Sequence, residues 1–383
     1  MNYKVIILAV IAIFSIKSLL AQNKNLEVSG YISNMESVMF TEADEDWIID
    51  NLIHNRLNFK YYTNKNFTFT LEMRNRFMFG QTMNLVNGYA NLLETDNGLL
   101  NLSYNISSGK SYILNTSIDR ANIMYEKGNL NIIVGRQRIN WGQNYAWNPN
   151  DIFNSYSFFD FDYPEKPGAD AIRIQYYTGM SSVVELAIKA DNNDKITSAG
   201  LVRFNKYNYD FQLMGGLLNS SDIVLGMGWA GNLSSLGFRG EASYFKPFKD
   251  TDESEEMIVA GISLDYMFEN SLNIQTEFLY SQNSGENIEN ILDYNTNDLS
   301  AKTMALSEYS IMASMSYGFS PLFSGTISGM IFPDSEGYYV GPSIDYSLTN
   351  NLSVSIFGQY FNMVSGENEI KLSMAFIRIK GNF

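Results

Sequence analysis

The side chains equipped to act on a ligand in this chain are arginines and aromatic rings rather than a catalytic set. His54 is the single histidine, and Asp50 is the one nearby acid that could pair with it. No Gly-x-Ser-x-Gly occurs. A lipase-type site would also want its histidine at a lipid-facing rim, whereas alternation sets His54 beside Arg56. Hydrolytic chemistry is therefore not expected. The chain has no cysteine, which excludes disulfides, Cys-ligated metals and a thiol-linked lipid anchor; no cofactor is expected.

The cations that remain are spaced for a different task. Arg56 stands among His54, Asn58 and Lys60, and Arg74 and Arg76 follow Thr68, Thr70 and Glu72, each set at every second residue. Together with Arg136, Arg138 and Arg173 they are candidates for an electrostatic wall along an aqueous passage. Glu241, Asp265 and Glu277 fall on distant segments, so a transverse field across such a passage is expected. Alternatively these charges pair with one another and keep an interior wet.

Residues 135–168 read GRQRINWGQNYAWNPNDIFNSYSFFDFDYPEKPG and hold two of the four tryptophans. Trp141, Tyr145 and Trp147 lead the aromatic set, punctuated by Asn148-Pro149-Asn150-Asp151 and by Pro164 to Gly168. Rings interleaved with Asn and Asp can stack on sugar faces or guide amphiphiles. A segment this aromatic must pack on something, so it is expected to fold inward and narrow the passage. The alternative is a structural plug that braces the wall.

The elements that position these residues are strands. Period-two alternation marks about eighteen of them, near 26–36, 50–62, 66–80, 114–126, 129–139, 169–178, 182–191, 196–206, 208–218, 221–232, 235–248, 256–269, 271–282, 306–319, 321–332, 337–348, 351–362 and 370–383. Every second link is a tight turn, as at Lys127-Gly128 and Glu269-Asn270, whereas 81–113, 140–168, 249–255 and 283–305 are long. Short turns alternating with long loops, an even strand count, and aromatic residues near strand ends describe an all-β transmembrane antiparallel β-barrel. A soluble β-sandwich would have short links at both ends. The net charge of −15 argues against nucleic acid as a partner. Acidic runs such as Asp44 to Asp46 and Asp252 to Glu256 fall in the long loops and read as solvated surface.

Met1-Asn2-Tyr3-Lys4, an apolar run from Val5 to Phe14 and Ser18-Leu19-Leu20-Ala21 describe a signal peptide. The expected division is a leader over 1–21 and a barrel over 22–383. At the other end, Ala375, Ile377, Ile379, Gly381 and Phe383 share one face, and Arg378, Lys380 and Asn382 the other. This ending resembles the C-terminal assembly signal of bacterial outer-membrane β-barrels. The resemblance implies a location in the outer membrane and engagement of the barrel-assembly machinery through the strand ending at Phe383. The series Gly135-Arg136-Gln137-Arg138-Ile139-Asn140-Trp141-Gly142, then Asn148-Pro149-x-Asp151 and Pro167-Gly168-Ala169-Asp170, is similar to a block in porin-like outer-membrane proteins, the group of selective porins and alginate-export-type channels. It covers under a tenth of the chain and implies a passive channel, without catalytic residues. The leading expectation is passage of small hydrophilic solutes, anionic or sugar-like ones among them. An export or lipid-handling barrel, and an adhesive or structural barrel with a closed lumen, are the alternatives. A homo-oligomer is left open, because no strand reads as a subunit interface.

Overall fold

The computed structural model describes residues 25–42, 47–160, 163–192, 195–248, 255–282, 299–365 and 368–383. The expected leader and, of the acidic runs, Asp44, Glu45, Asp46, Asp250, Asp252 and Glu253 lie outside the described residues. The strands are β1 (Leu26–Phe40), β2 (Ile48–Tyr62), β3 (Phe67–Gly80), β4 (Ser103–Gly109), β5 (Tyr112–Lys127), β6 (Leu130–Gln137), β7 (Ala169–Gly179), β8 (Ser182–Ala190), β9 (Ile196–Lys206) and β10 (Tyr209–Leu218). They continue as β11 (Asp222–Leu233), β12 (Leu236–Pro247), β13 (Met257–Met267), β14 (Leu272–Ser281), β15 (Tyr309–Ser320), β16 (Phe323–Phe332), β17 (Gly337–Ser347), β18 (Leu352–Ser365) and β19 (Asn368–Asn382).

All neighbours pair antiparallel, and the sheet closes where β19 meets β1, with Tyr31 opposite Asn382 and Phe40 opposite Ser373. The Gly30 N–H donates to the Phe383 carbonyl at 3.0 Å, and the Phe383 N–H returns to Gly30 at 2.9 Å. Closure pairs the first strand with the last, so the closed wall satisfies its backbone groups without water, and among the described residues β4, laddered to β5 alone, keeps one edge.

The closed wall is 18 strands around, although the sheet holds 19, because β4 and β6 share one place. β6 pairs with the turn-side half of β5, from Lys127–Leu130 to Ala121–Arg136. β4 takes the loop-side half, from Ser117–Ser103 to Tyr112–Gly109. β6 stops at Gln137, two residues short of the alternation limit, because the chain there turns into the barrel. Gly135 makes the departure possible: its φ is +114°, and a Cβ would lie 2.3 Å from the Ala121 carbonyl. The 81–113 link, read from sequence as one of the long loops, folds into α1 (Thr82–Leu85), α2 (Tyr89–Glu94) and β4, which takes the vacated place beside β5.

Alternation sorts the two faces. On β8, Val184, Leu186 and Ile188 are 40%, 55% and 54% exposed, while Val183, Glu185 and Ala187 between them are buried. An exterior of isoleucine, leucine and valine is stable only against lipid. Rings crowd both rims of this apolar belt, with Tyr61, Phe67, Tyr176 and Phe268 at the turn side and Trp47, Phe79, Tyr112 and Tyr338 at the loop side.

Candidate functional site

The lumen divides into an apolar and a polar side. Inward residues of β9 to β18, among them Leu201, Met214, Val224, Val259, Leu279, Met330, Tyr339 and Phe361, form one buried cluster with Ile139, Trp141, Trp147, Ile152, Phe153 and Phe159 of the 138–168 loop. The loop therefore lies inside the barrel. A second inward segment joins it: Ala301, Met304, Ala305 and Leu306 are buried in the same cluster, and Lys302 Nζ lies 2.8 Å from Asp222. Nothing in the alternation marked 299–306 as more than a connection.

Three wall carboxylates hold the loop. Glu241 accepts the backbone N–H groups of Gln143, Asn144 and Asn150 at 3.1, 3.1 and 3.0 Å. Glu277 accepts those of Tyr145, Ala146 and Trp147 at 2.9, 3.0 and 2.8 Å. Three converging N–H donors make a nest for a carboxylate, and each bond to a charged acceptor is about twice as strong as a neutral one. Glu185 is the third anchor. It accepts the Trp141 indole N–H at 2.6 Å and a fork from Arg173 at 2.7 and 2.9 Å. The Gln212 amide donates to the Trp141 carbonyl at 2.8 Å, and Ser243 Oγ to the Pro149 carbonyl at 2.9 Å.

The loop then crosses to the opposite wall. The Phe159 ring packs on Tyr339 and Phe361, with centroids 5.0 and 4.9 Å apart, and its carbonyl accepts from Gln359 at 2.9 Å. The Tyr163 ring lies 3.6 Å under the Arg74 guanidinium. Tyr31 donates to Glu165 at 3.2 Å, and Arg120 donates to the Glu165 and Lys166 carbonyls at 2.8 and 3.0 Å. Within the loop, burial raises the Asp151 carboxyl to about 7, with the Arg138 guanidinium opposing the shift.

The candidate residues divide by environment. Arg56 is 1% exposed and is held by Asp119, by Glu72 at 2.5 Å and by Asn58 at 3.0 Å. Arg74 lies 3.7 Å from Asp119, and Arg76 donates to Asn115 at 2.9 Å. Arg138 pairs with Asp151 at 3.1 Å and sits over the Tyr156 ring at 5.0 Å. Tyr145 donates to Asp265 at 2.6 Å beneath the Arg239 guanidinium, 4.3 Å away. Trp147 is buried in the plug. Arg173 belongs to the Glu185 anchor.

Arg136 does not line the lumen. Its register with Ala121 puts it on the face of Val134 and Ile123, which is the outward one. There it pairs with Asp96 at 2.6 Å and with Asp170 at 2.8 Å, and donates to the Leu100 carbonyl at 2.7 Å. It clamps the outer segment over the point where the chain leaves the wall. Gly98 permits the approach, since a Cβ would meet the Arg136 Nη2 at 2.0 Å. The expected transverse field is likewise cancelled locally, because Glu241 and Glu277 are taken up by the loop and Asp265 pairs with Arg239 at 3.1 Å.

His54 and Asp50 do not form a dyad. His54 meets the Tyr31 ring edge-on at 5.2 Å, while Asp50 accepts the Thr82 N–H at 3.0 Å. Asp119, a centre of the arginine cluster, was missed from sequence because it sits in a bulge where the β3–β5 register shifts and alternation breaks.

The barrel fold recurs in solved structures. The chain has the fold of an outer membrane protein. It superposes on OprD from Pseudomonas aeruginosa with a TM-score of 0.60 at 10% identity, over 95% of each chain. OccAB3 from Acinetobacter baumannii gives 0.58 at 10% identity, over 94% of this chain and 99% of that one. OccK11 (OpdR) from Pseudomonas aeruginosa gives 0.58 at 8% identity, over 94% and 96%. No protein-family model and no curated protein sequence matches the chain. The likeness therefore resides in the barrel, with side chains almost wholly exchanged.

Proposed function

We propose that the mature chain is a bacterial outer-membrane channel that passes small hydrophilic solutes through a narrow path beside the plug. The observation that carries the reading is the division of the lumen. The apolar inner wall is used up against the 139–159 and 301–306 segments, so polar surface remains for solute. One side of that path carries the half-buried Arg76, Arg378 and Lys380, which extend the closed cluster of Arg56, Arg74 and Arg120 with Glu72, Asp119 and Glu165, so that the cations outnumber their carboxylates. The other side, on β15 to β18, carries hydroxyls, with Ser314 and Ser328 at 2.9 Å and Thr326 and Ser316 at 3.2 Å. Paired arginines with a modest positive excess give weak anion preference rather than strict exclusion. The reading includes a leader over 1–21, a barrel over 22–383, assembly through the Phe383 strand, and no catalytic step.

The test is the reversal potential of refolded protein in a planar bilayer under a salt gradient, together with swelling of liposomes in sugars and small organic acids. A weakly anion-selective current with swelling in both solute classes is expected. A barrel that folds and passes neither ions nor sugars would make it a closed structural element instead.

A further inference from the structure

The outward face of the barrel is not uniformly apolar. Between the two aromatic rims, β1, β2, β3 and β5 carry Asn34, Asn55, Asn75 and Thr116 on the same face as Ile32, Ile53 and Leu57. Glu36 and Asn51, level with the rim residue Phe79, extend the strip. Apolar residues bracket the strip along each strand, as with Met73 and Phe77 around Asn75 and Ile118 and Leu114 around Thr116. The side chains are bonded across the strands. Asn51 donates to Asn34 at 3.2 Å and to Glu36 at 2.5 Å, Asn75 to Asn55 at 3.2 Å, and Thr116 to Asn75 at 2.7 Å. Among the described residues of β7 to β19, the outward positions between the rims hold apolar side chains, glycine or a lone hydroxyl, apart from Asp170, which Arg136 and the Leu100 backbone cover. Asn362 and Lys371 are level with the rim residue Tyr338.

Hydrocarbon offers an amide or carboxylate nothing to bond, so a ladder facing lipid is costly unless a partner covers it. We infer that the wall formed by β19, β1, β2, β3 and β5 is the interface between copies of this chain. Three observations select a second copy. A primary amide both donates and accepts, so a surface of asparagines is complementary to itself, and the single carboxylate, Glu36, meets amide donors there. The same wall is contoured: a groove of about 390 Å³ runs over Ala121 between Phe59, Leu71 and Val134, and Ile377 and Ile379 stand 46% and 50% exposed beside the strip. Five strands about 4.8 Å apart and a belt about 25 Å tall give roughly 600 Å² per copy, within reach of a specific interface.

The inference rests on the outer-membrane placement proposed above, so that placement is scored first, by co-fractionation of the full chain with outer membranes. The protein is then excised with its lipid in polymer discs, and its native mass is measured. Wild type is expected at a multiple of the single-chain mass. Ala121→Trp, which fills the groove, and Asn55→Leu/Asn75→Leu, which removes part of the ladder, are each expected at the mass of one chain, while heat-modifiable mobility on gels shows the barrel still folded. Leu264→Trp, on the far wall, is expected to leave the multiple unchanged. A wild-type chain of single-copy mass overturns the inference. So does a multiple that survives both folded interface variants.

Discussion

At the scale of residues, the charges that invite a selectivity reading are mostly committed to structure. Glu185 shows how. It is buried, yet it gathers the Trp141 indole, the Arg173 fork and Gln175 at 2.8 Å. Glu185→Ala leaves Arg173 without its counter-charge and is expected to cost about 3 kcal/mol, read as the shift of the urea midpoint for refolded barrel. Asp151 adds a pH dependence. Its folded pKa lies above that of an exposed carboxyl, so its contribution to loop docking is present below about pH 4 and is lost as pH rises through about 7. Protease nicking of the loop should accordingly increase across that interval in wild type and lose the dependence in Asp151→Asn. An equal rise in both would assign it to another group.

At the scale of elements, the decisive event is the end of β6. Once the chain turns inward at Gln137, β4 repairs the wall and the loop spans the lumen to the Arg74–Tyr163 contact. Glu241 and Glu277 each collect three backbone donors, so Glu277→Ala should loosen one end of the loop at a cost of about 2–4 kcal/mol. The expected result is noisier and larger single-channel current with unchanged far-UV dichroism. Quiet, wild-type current would show that the aromatic packing alone holds the loop. The strands themselves were legible from alternation because one face meets lipid and the other does not. β4 was not, since its pairing depends on a strand that stops early elsewhere in the chain. Nor was the 299–306 insertion, whose small and methionine residues carry no strand or turn signal.

At the scale of the whole molecule, barrel closure, the strand count and the inward loop followed from the sequence, because turn lengths and alternation stay in phase along the chain. The partners of the charges did not follow. Parity gives the face of a strand residue but not what crosses the lumen to meet it, so Glu241 reads as one pole of a field. Arg136, which parity sets on the apolar face of Ile132 and Val134, reads as a pore residue on its charge alone. The outward amides Asn55 of β2 and Asn75 of β3 carry no signal of their own in the sequence, because each lies between inward basic residues on the same strand. The central claim is that the 138–168 loop sets the width of the path. Single-channel conductance of wild type against a chain lacking 140–166, both refolded into planar bilayers, tests it most directly. The account predicts small steps for wild type and several-fold larger ones for the deletion. Equal conductance from two folded barrels would contradict it.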